Sequence, residues 1–267
     1  MTKRFYAIGN GLAFGATIVM NYLSNTGLIN GRTIGGVSGD YDNLFTPASY
    51  AFSIWGVIYL LLLGFILYQG KSLLGKLKHD DFILKIGPWF IISCVANSLW
   101  VICWLYGWLG LSLVCMFTLL ISLLVIIVKN DMEIWDAPLS VIFYLWWPFV
   151  IYAGWITVAS IANVAAYLTQ LNAITEPDTQ VWITVLMILI AVVLNLYMTW
   201  TRNLREYALV GAWALAAIYV ANQIDQTTVA YAALAGAIVL FLSSSYHGFI
   251  NRATSPLAKL RARKKQQ

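Results

Sequence analysis

Three sets of residues at helical spacing carry most of the chemistry this sequence offers. Phe52, Trp55 and Tyr59 stand at i, i+3 and i+7, and Asn97, Trp100 and Trp104 repeat that spacing. Trp155, Ala159 and Asn163 stand at i, i+4 and i+8. Either spacing puts a set on one face of an α-helix. Aromatic rings stack on flat π-systems, and Tyr and Trp add a polar handle. Amides both donate and accept hydrogen bonds, and a small Ala leaves room between larger neighbours. Trp55, Tyr59, Asn97, Trp100, Trp104, Trp155, Ala159 and Asn163 are therefore candidate ligand-binding residues lining a pocket. Ordinary membrane packing uses the same residue types. Trp favours the interface, where Trp104 and Trp108 would serve as belt residues, and Asn often bonds to a neighbouring helix.

The elements that must position these residues are apolar. The chain has 267 residues, of which 61% are hydrophobic and 10% charged, against roughly 25% charged in soluble domains. Runs near 5–23, 48–68, 87–106, 109–128, 139–169, 180–200, 207–222 and 228–248 approach the ~20 apolar residues that cross a bilayer. Backbone groups in lipid must be satisfied internally, so the runs read as helices. The fold expected is an all-α integral membrane protein with about eight transmembrane helices.

The net charge of +5 does not point to nucleic acid, because of where it lies. With the N-terminus inside, the inner segments hold 15 of the 16 Lys and Arg, and only Arg32 falls outside. The positive-inside rule then places both termini in the cytoplasm, in what reads as a bacterial cytoplasmic membrane. The first run ends in "MNYLSNTG" without a small-x-small cleavage site, so it reads as a retained helix and not a signal peptide. Cys94, Cys103 and Cys115 sit within spans and form no CxxC; they read as packed thiols.

The outer segment at 24–46, "SNTGLINGRTIGGVSGDYDNLFT", is longer than most connections and mixes Gly, Asn and Asp with apolar residues. It reads as a lid packed on the outer face. Thr46-Pro47 reads as an N-cap and first helical residue for the second run, and "DAP" at 136–138 starts the fifth. Pro148 should kink the fifth. Gly11 and Gly15 form a small-xxx-small pair suited to close helix packing. At about 1.5 Å per residue, Trp55 lies roughly 12 Å below Pro47. Trp100, Trp104 and Asn163 fall at similar depth in the outer half of their own helices.

The stretch "PASYAFSIWGVIY" at 47–59 resembles the second helix of the TspO/translocator family, the tryptophan-rich sensory proteins. "NSLWVICW" at 97–104 is similar to that family's third helix, and "WWPFVIYAGWITVASIAN" at 146–163 to its fifth. The resemblance covers residues 1–170. It implies a five-helix bundle with a cavity open toward the 1–2 loop, taking a porphyrin or another hydrophobic molecule. It also implies Trp55 and Trp155 as the indoles facing the macrocycle, with Asn97, Trp100, Ala159 and Asn163 lining the pocket. The chain departs from the family's doubled Pro, which is Pro47-Ala48 here, and adds three helices.

The resulting expectation is a membrane receptor or sensor built as 1–170, a ligand-binding bundle, and 171–267, a three-helix extension with a basic tail. Its partners would be a tetrapyrrole or sterol-like molecule and membrane lipids, with no nucleic acid and with a homodimer left open. The alternatives are a small-molecule transporter and a light-dependent tetrapyrrole-degrading enzyme. Against the first, no span carries a charged residue at mid-depth. For the second, no nucleophile–base pair or metal cluster stands out, so the tryptophans would have to act. His79 and His247 lie near the inner ends, so no axial iron ligand and no cofactor is expected. Leu63…Tyr68…Lys71 and Leu194…Tyr197…Arg202 match a weak sterol pattern.

Overall fold

The computed structural model describes residues 2–75, 77, 80–252 and 256–264. His79, with Lys76, Lys78 and Lys265 of the basic segments, lies outside them. Eight long helices occupy the eight apolar runs: α1 (Lys3–Leu23), α2 (Ile54–Gly70), α3 (Trp89–Leu105), α4 (Leu109–Lys129), α5 (Trp147–Gln170), α6 (Pro177–Arg202), α7 (Arg205–Asn222) and α8 (Thr227–Ile250). Five stretches, Ser49–Leu74, Leu109–Lys129, Leu139–Gln170, Pro177–Arg202 and Thr227–Ile250, are long and apolar enough to cross a membrane. The remaining three, α1, α3 and α7, are shorter or more polar.

Consecutive helices alternate in direction, so the connections gather at two ends. At one end the 24–46 segment meets the α3–α4 turn, the end of α5 and the end of α7. At the other, the Lys3 ammonium bridges Asp80 at 2.6 Å and Asp81 at 2.7 Å. There too Lys129 stands over the Trp89 ring, and Lys259 pairs with Asp136. The described basic residues other than Arg32 collect at this second end, and the beginning of α1 and the end of α8 share it.

Two helix starts differ from the sequence reading. Thr46 does not cap a helix. Its hydroxyl accepts from the Asn43 N–H at 3.3 Å, and the Asn43 side chain accepts from the Phe45 N–H at 3.0 Å. A 3-10 segment, Ser49–Ser53, follows, and α2 begins only at Ile54. The tighter winding rises about 2.0 Å per residue, so Trp55 still lies well below the helix entrance. Before α5, Pro138 does precede a helical turn, Leu139–Val141, but Ile142–Trp146 winds as a π-helix. Pro148 supplies no N–H to Tyr144, and the distortion lies just before the proline.

Close packing relies on glycines other than the expected pair. Among the described residues a Cβ at Gly11 or Gly15 would meet nothing within 4 Å, so that pair supports no helix contact there. A Cβ on Gly154 would stand 2.9 Å from the Tyr207 carbonyl oxygen, which sets how closely α5 approaches α7. On Gly211 it would stand 2.6 Å from the Asn195 amide oxygen, and on Gly236 it would stand 2.8 Å from Val192. Absent side chains thus let α7 nest between α5 and α6, and α8 against α6.

The extension does more than lie beside the first five helices. The Ala48 N–H donates to the Ala217 carbonyl at 3.1 Å, and the Asn222 amide to the Leu44 carbonyl at 3.0 Å. The Trp213 indole donates to the Ala51 carbonyl at 3.3 Å. Helix α7 therefore holds the strand of chain that leads from the lid into α2.

Candidate functional site

The lid is an ordered roof. Its short helix, Ile34–Asp40, is capped by the Thr33 hydroxyl, which accepts from the Gly36 N–H. Asn30, in the left-handed conformation at φ 56°, donates to the Leu105 carbonyl at 2.8 Å. Val37 and Phe45 are fully buried beneath it. The Gln170 amide ties the end of α5 to Gly107 at 2.8 Å and to the Tyr41 hydroxyl at 3.3 Å.

Under this roof is a cavity of about 60 Å³, lined by Ile34, Ser38 and Tyr41 of the lid, Phe52 and Trp55, Trp100 and Trp104 of α3, Met116 of α4, and Trp155, Ala159 and Asn163 of α5. Six of the eight sequence candidates, Trp55, Trp100, Trp104, Trp155, Ala159 and Asn163, line it. The indoles of Trp55 and Trp155 meet edge to face at 6.3 Å, with Phe52 at 5.9 Å from Trp155. Trp100 and Trp104 stack at 5.6 Å.

The polar handles of these residues are unequally used. The Trp100 indole donates to the Asn163 amide oxygen at 2.7 Å, and the Asn163 amide nitrogen donates to the Ser112 hydroxyl at 2.9 Å. Trp104 donates to the Ile34 carbonyl of the lid at 3.2 Å. The buried Trp155 N–H has no partner among the described residues. A buried donor left unpaired is available to an incoming acceptor.

The other two candidates sit elsewhere. Asn97 lines neither this cavity nor its neighbour. Its amide accepts from Asn21 at 2.7 Å and donates to the Tyr152 hydroxyl at 3.2 Å, joining α1, α3 and α5. Tyr59 stacks on Trp55 at 5.4 Å but faces a second space of about 490 Å³ between α1 and α2. Asn21 of α1, Asn25 of the lid segment and Ser49 line that space, and the buried Tyr59 hydroxyl beside it has no partner among the described residues. Ile34, Phe52 and Trp55 border both spaces, so they form the wall between them.

Several contributors escaped the sequence reading. Val158, Ala162 and Ala166 extend the α5 face and could have been found by continuing its helical spacing. Ser112, which holds Asn163, gave no signal, because its partner lies 51 positions away. The cavity is lined entirely by residues at or before Ala166. Among the described residues no group of His, Cys, Asp and Glu could hold a metal ion.

Fold and site together define an all-α membrane protein with a lidded, indole-walled cavity near one end of its bundle. The chain belongs to the family described as TSPO-like protein, whose model matches residues 7–246. That match runs past the motif-bearing helices into α8, so the last three helices fall within the family pattern. No curated protein and no solved structure matches the chain.

Proposed function

We propose that the chain is a receptor- or sensor-like membrane protein that binds a flat hydrophobic ligand, such as a porphyrin, among Trp55, Trp100 and Trp155 beneath the lid. The observation that carries this reading is the convergence of these indoles with the unpartnered N–H of Trp155. Apolar rings would stack on the indoles, and a ligand carboxylate or carbonyl would accept from Trp155.

Size adds a condition. Ligand pockets usually measure ~300–1,000 Å³, and the indole cavity offers about 60 Å³. A porphyrin would enter only if the wall of Phe52 and Trp55 swings aside and joins the cavity to the 490 Å³ space between α1 and α2. Binding would then reorder the Trp55 and Tyr59 stack and the lid residue Ile34. That change gives a sensor a movable element on the lid side. The bundle would lie with the lid outside and the basic end in the cytoplasm, as the charge partition suggests.

The test is titration of the purified protein with a soluble porphyrin, read by quenching of indole fluorescence. Trp55→Phe and Trp155→Phe should each weaken binding by about two- to tenfold, the scale of one aromatic contact. Absence of saturable quenching by the full chain would refute the reading.

A further inference from the structure

A second pocket, of about 350 Å³, opens at the basic end of the bundle and shares no residue with the indole cavity. Its walls come from four parts of the chain: the α4–α5 connection with Glu133 and Asp136, the α6–α7 turn with Asn203 and Arg205, the end of α8 with His247 and Asn251, and the terminal helix Pro256–Lys264 with Lys259. Ion pairing closes it from the outside, where Lys259 reaches Asp136 and the Ala137 carbonyl.

With both carboxylates ionised the charges inside are balanced, but they are badly joined. The pocket carries two carboxylates, Glu133 and Asp136, and two cations, Arg205 and Lys259. The Glu133 side chain is 7% exposed, yet its Oε2 stands 3.7 Å from the Arg205 guanidinium, too far for a direct hydrogen bond. Glu133 Oε1 and Arg205 Nε have no partner among the described residues. Burying an ion pair without completing its hydrogen bonds is unfavourable. The free groups ask for a donor at the carboxylate and an acceptor at the guanidinium.

We propose that this pocket binds a small zwitterion, its ammonium group against Glu133 and its phosphate or carboxylate against Arg205 and Lys259. The same chemistry occurs in a free amino phosphate and in the ethanolamine headgroup of a phospholipid, and the basic end is where headgroups would lie. A lone anion would leave Glu133 protonated, and a lone cation would leave the Arg205 guanidinium unmet. A trimethylated ammonium has no N–H to give Glu133 Oε1. Burial, reinforced by the Glu206 carboxylate and opposed by Arg205 and Lys259, pushes the Glu133 carboxyl up to about 8. An ammonium group beside it would restore the ionised form, so binding near neutral pH should release a proton.

The experiment is calorimetric titration of the full chain in detergent with phosphoethanolamine, phosphocholine, inorganic phosphate and a short-chain phosphatidylethanolamine. Each titration is run in two buffers of different ionisation enthalpy. Phosphoethanolamine should bind at least tenfold more tightly than phosphocholine or phosphate, with proton release that Glu133→Gln abolishes. Lys259→Gln, at the rim, should weaken binding several-fold and guards against a folding defect in the first variant. Tighter binding of the short-chain lipid identifies the membrane as the source, and equal binding identifies a soluble zwitterion. Failure of both ethanolamine compounds to bind at millimolar concentration, or phosphate binding as tightly as phosphoethanolamine, would overturn the assignment.

Discussion

Replacing Asn163 by Leu separates a clamp from a ligand contact. Asn163 is 2% exposed, and its amide takes the Trp100 N–H at 2.7 Å while donating to Ser112 at 2.9 Å. Ser112 keeps the Leu109 carbonyl at 2.8 Å as an acceptor for its own proton. Leu at 163 therefore orphans one group, the buried Trp100 N–H, and an orphaned donor costs about 1–3 kcal/mol. Loss of the Ser112 bond adds ~0.6 kcal/mol, the average for side-chain hydrogen bonds between membrane helices. The expected destabilisation is about 2–4 kcal/mol. Trp100→Phe removes the donor itself, so the double variant should be less destabilised than the sum of the two by about 1–2 kcal/mol. Equilibrium unfolding in mixed micelles, followed by indole emission, reads all three. A change within 0.5 kcal/mol of the starting protein, combined with a large loss of porphyrin affinity, would show that Asn163 faces the ligand and that the clamp reading is wrong.

Gly154→Ala puts a Cβ 2.9 Å from the Tyr207 backbone oxygen, and overpacking of this kind should destabilise by about 1–3 kcal/mol in the same unfolding assay. Asn222→Ala removes the bond to the Leu44 carbonyl and should speed amide exchange around residues 41–48 while leaving α6 and α8 unchanged. Glu133 carries a raised folded pKa, about 8 against an ordinary 4.5. Its protonation therefore favours the folded state fully below about pH 4.5, and this contribution is lost as pH rises through about 8. Glu133→Gln should accordingly be the more stable protein at pH 9, by a few kcal/mol, with the advantage fading toward pH 5 in parallel melts. A single Cys at Arg32 should react with a membrane-impermeant reagent on intact cells, and one at Lys71 only after lysis; the reverse pattern would invert the proposed orientation.

Much of the architecture was legible in the residues themselves. Hydropathy alone marks the eight runs, because an apolar stretch of bilayer length has few other uses. Alternation of Lys and Arg between connections anticipated that the beginning of α1 and the end of α8 share one end. Helical spacing put Trp100 with Trp104 and Trp155 with Ala159 on common faces, since the 3.6-residue period belongs to the backbone and not to its neighbours. The lid, too, could be read from Leu28, Ile29, Val37 and Phe45 within an outer loop that would otherwise be polar.

Spacing states which residues share a face but not what that face meets, and there the tertiary structure decided. Trp55 and Tyr59 stack on one helix face, yet the rotation of α2 sends Trp55 to the wall of the indole cavity and Tyr59 into the space beside α1. Asn97 and Asn163 look alike in sequence. One is used to tie α1, α3 and α5 together, and the other to hold Trp100 at the cavity edge. The start of α2 was settled by a turn at Asn43 and by a backbone bond to Ala217, 169 positions away. At the basic end, Glu133, Arg205, His247 and Lys259 are scattered over more than 120 positions, and no local pattern links them. Only the packing of α7 and α8 against α5 and α6, set by glycines at 154, 211 and 236, brings those charges around one pocket. Local sequence determines the period and polarity of each helix, whereas rotation, register and partner depend on side chains that meet only after the chain has folded.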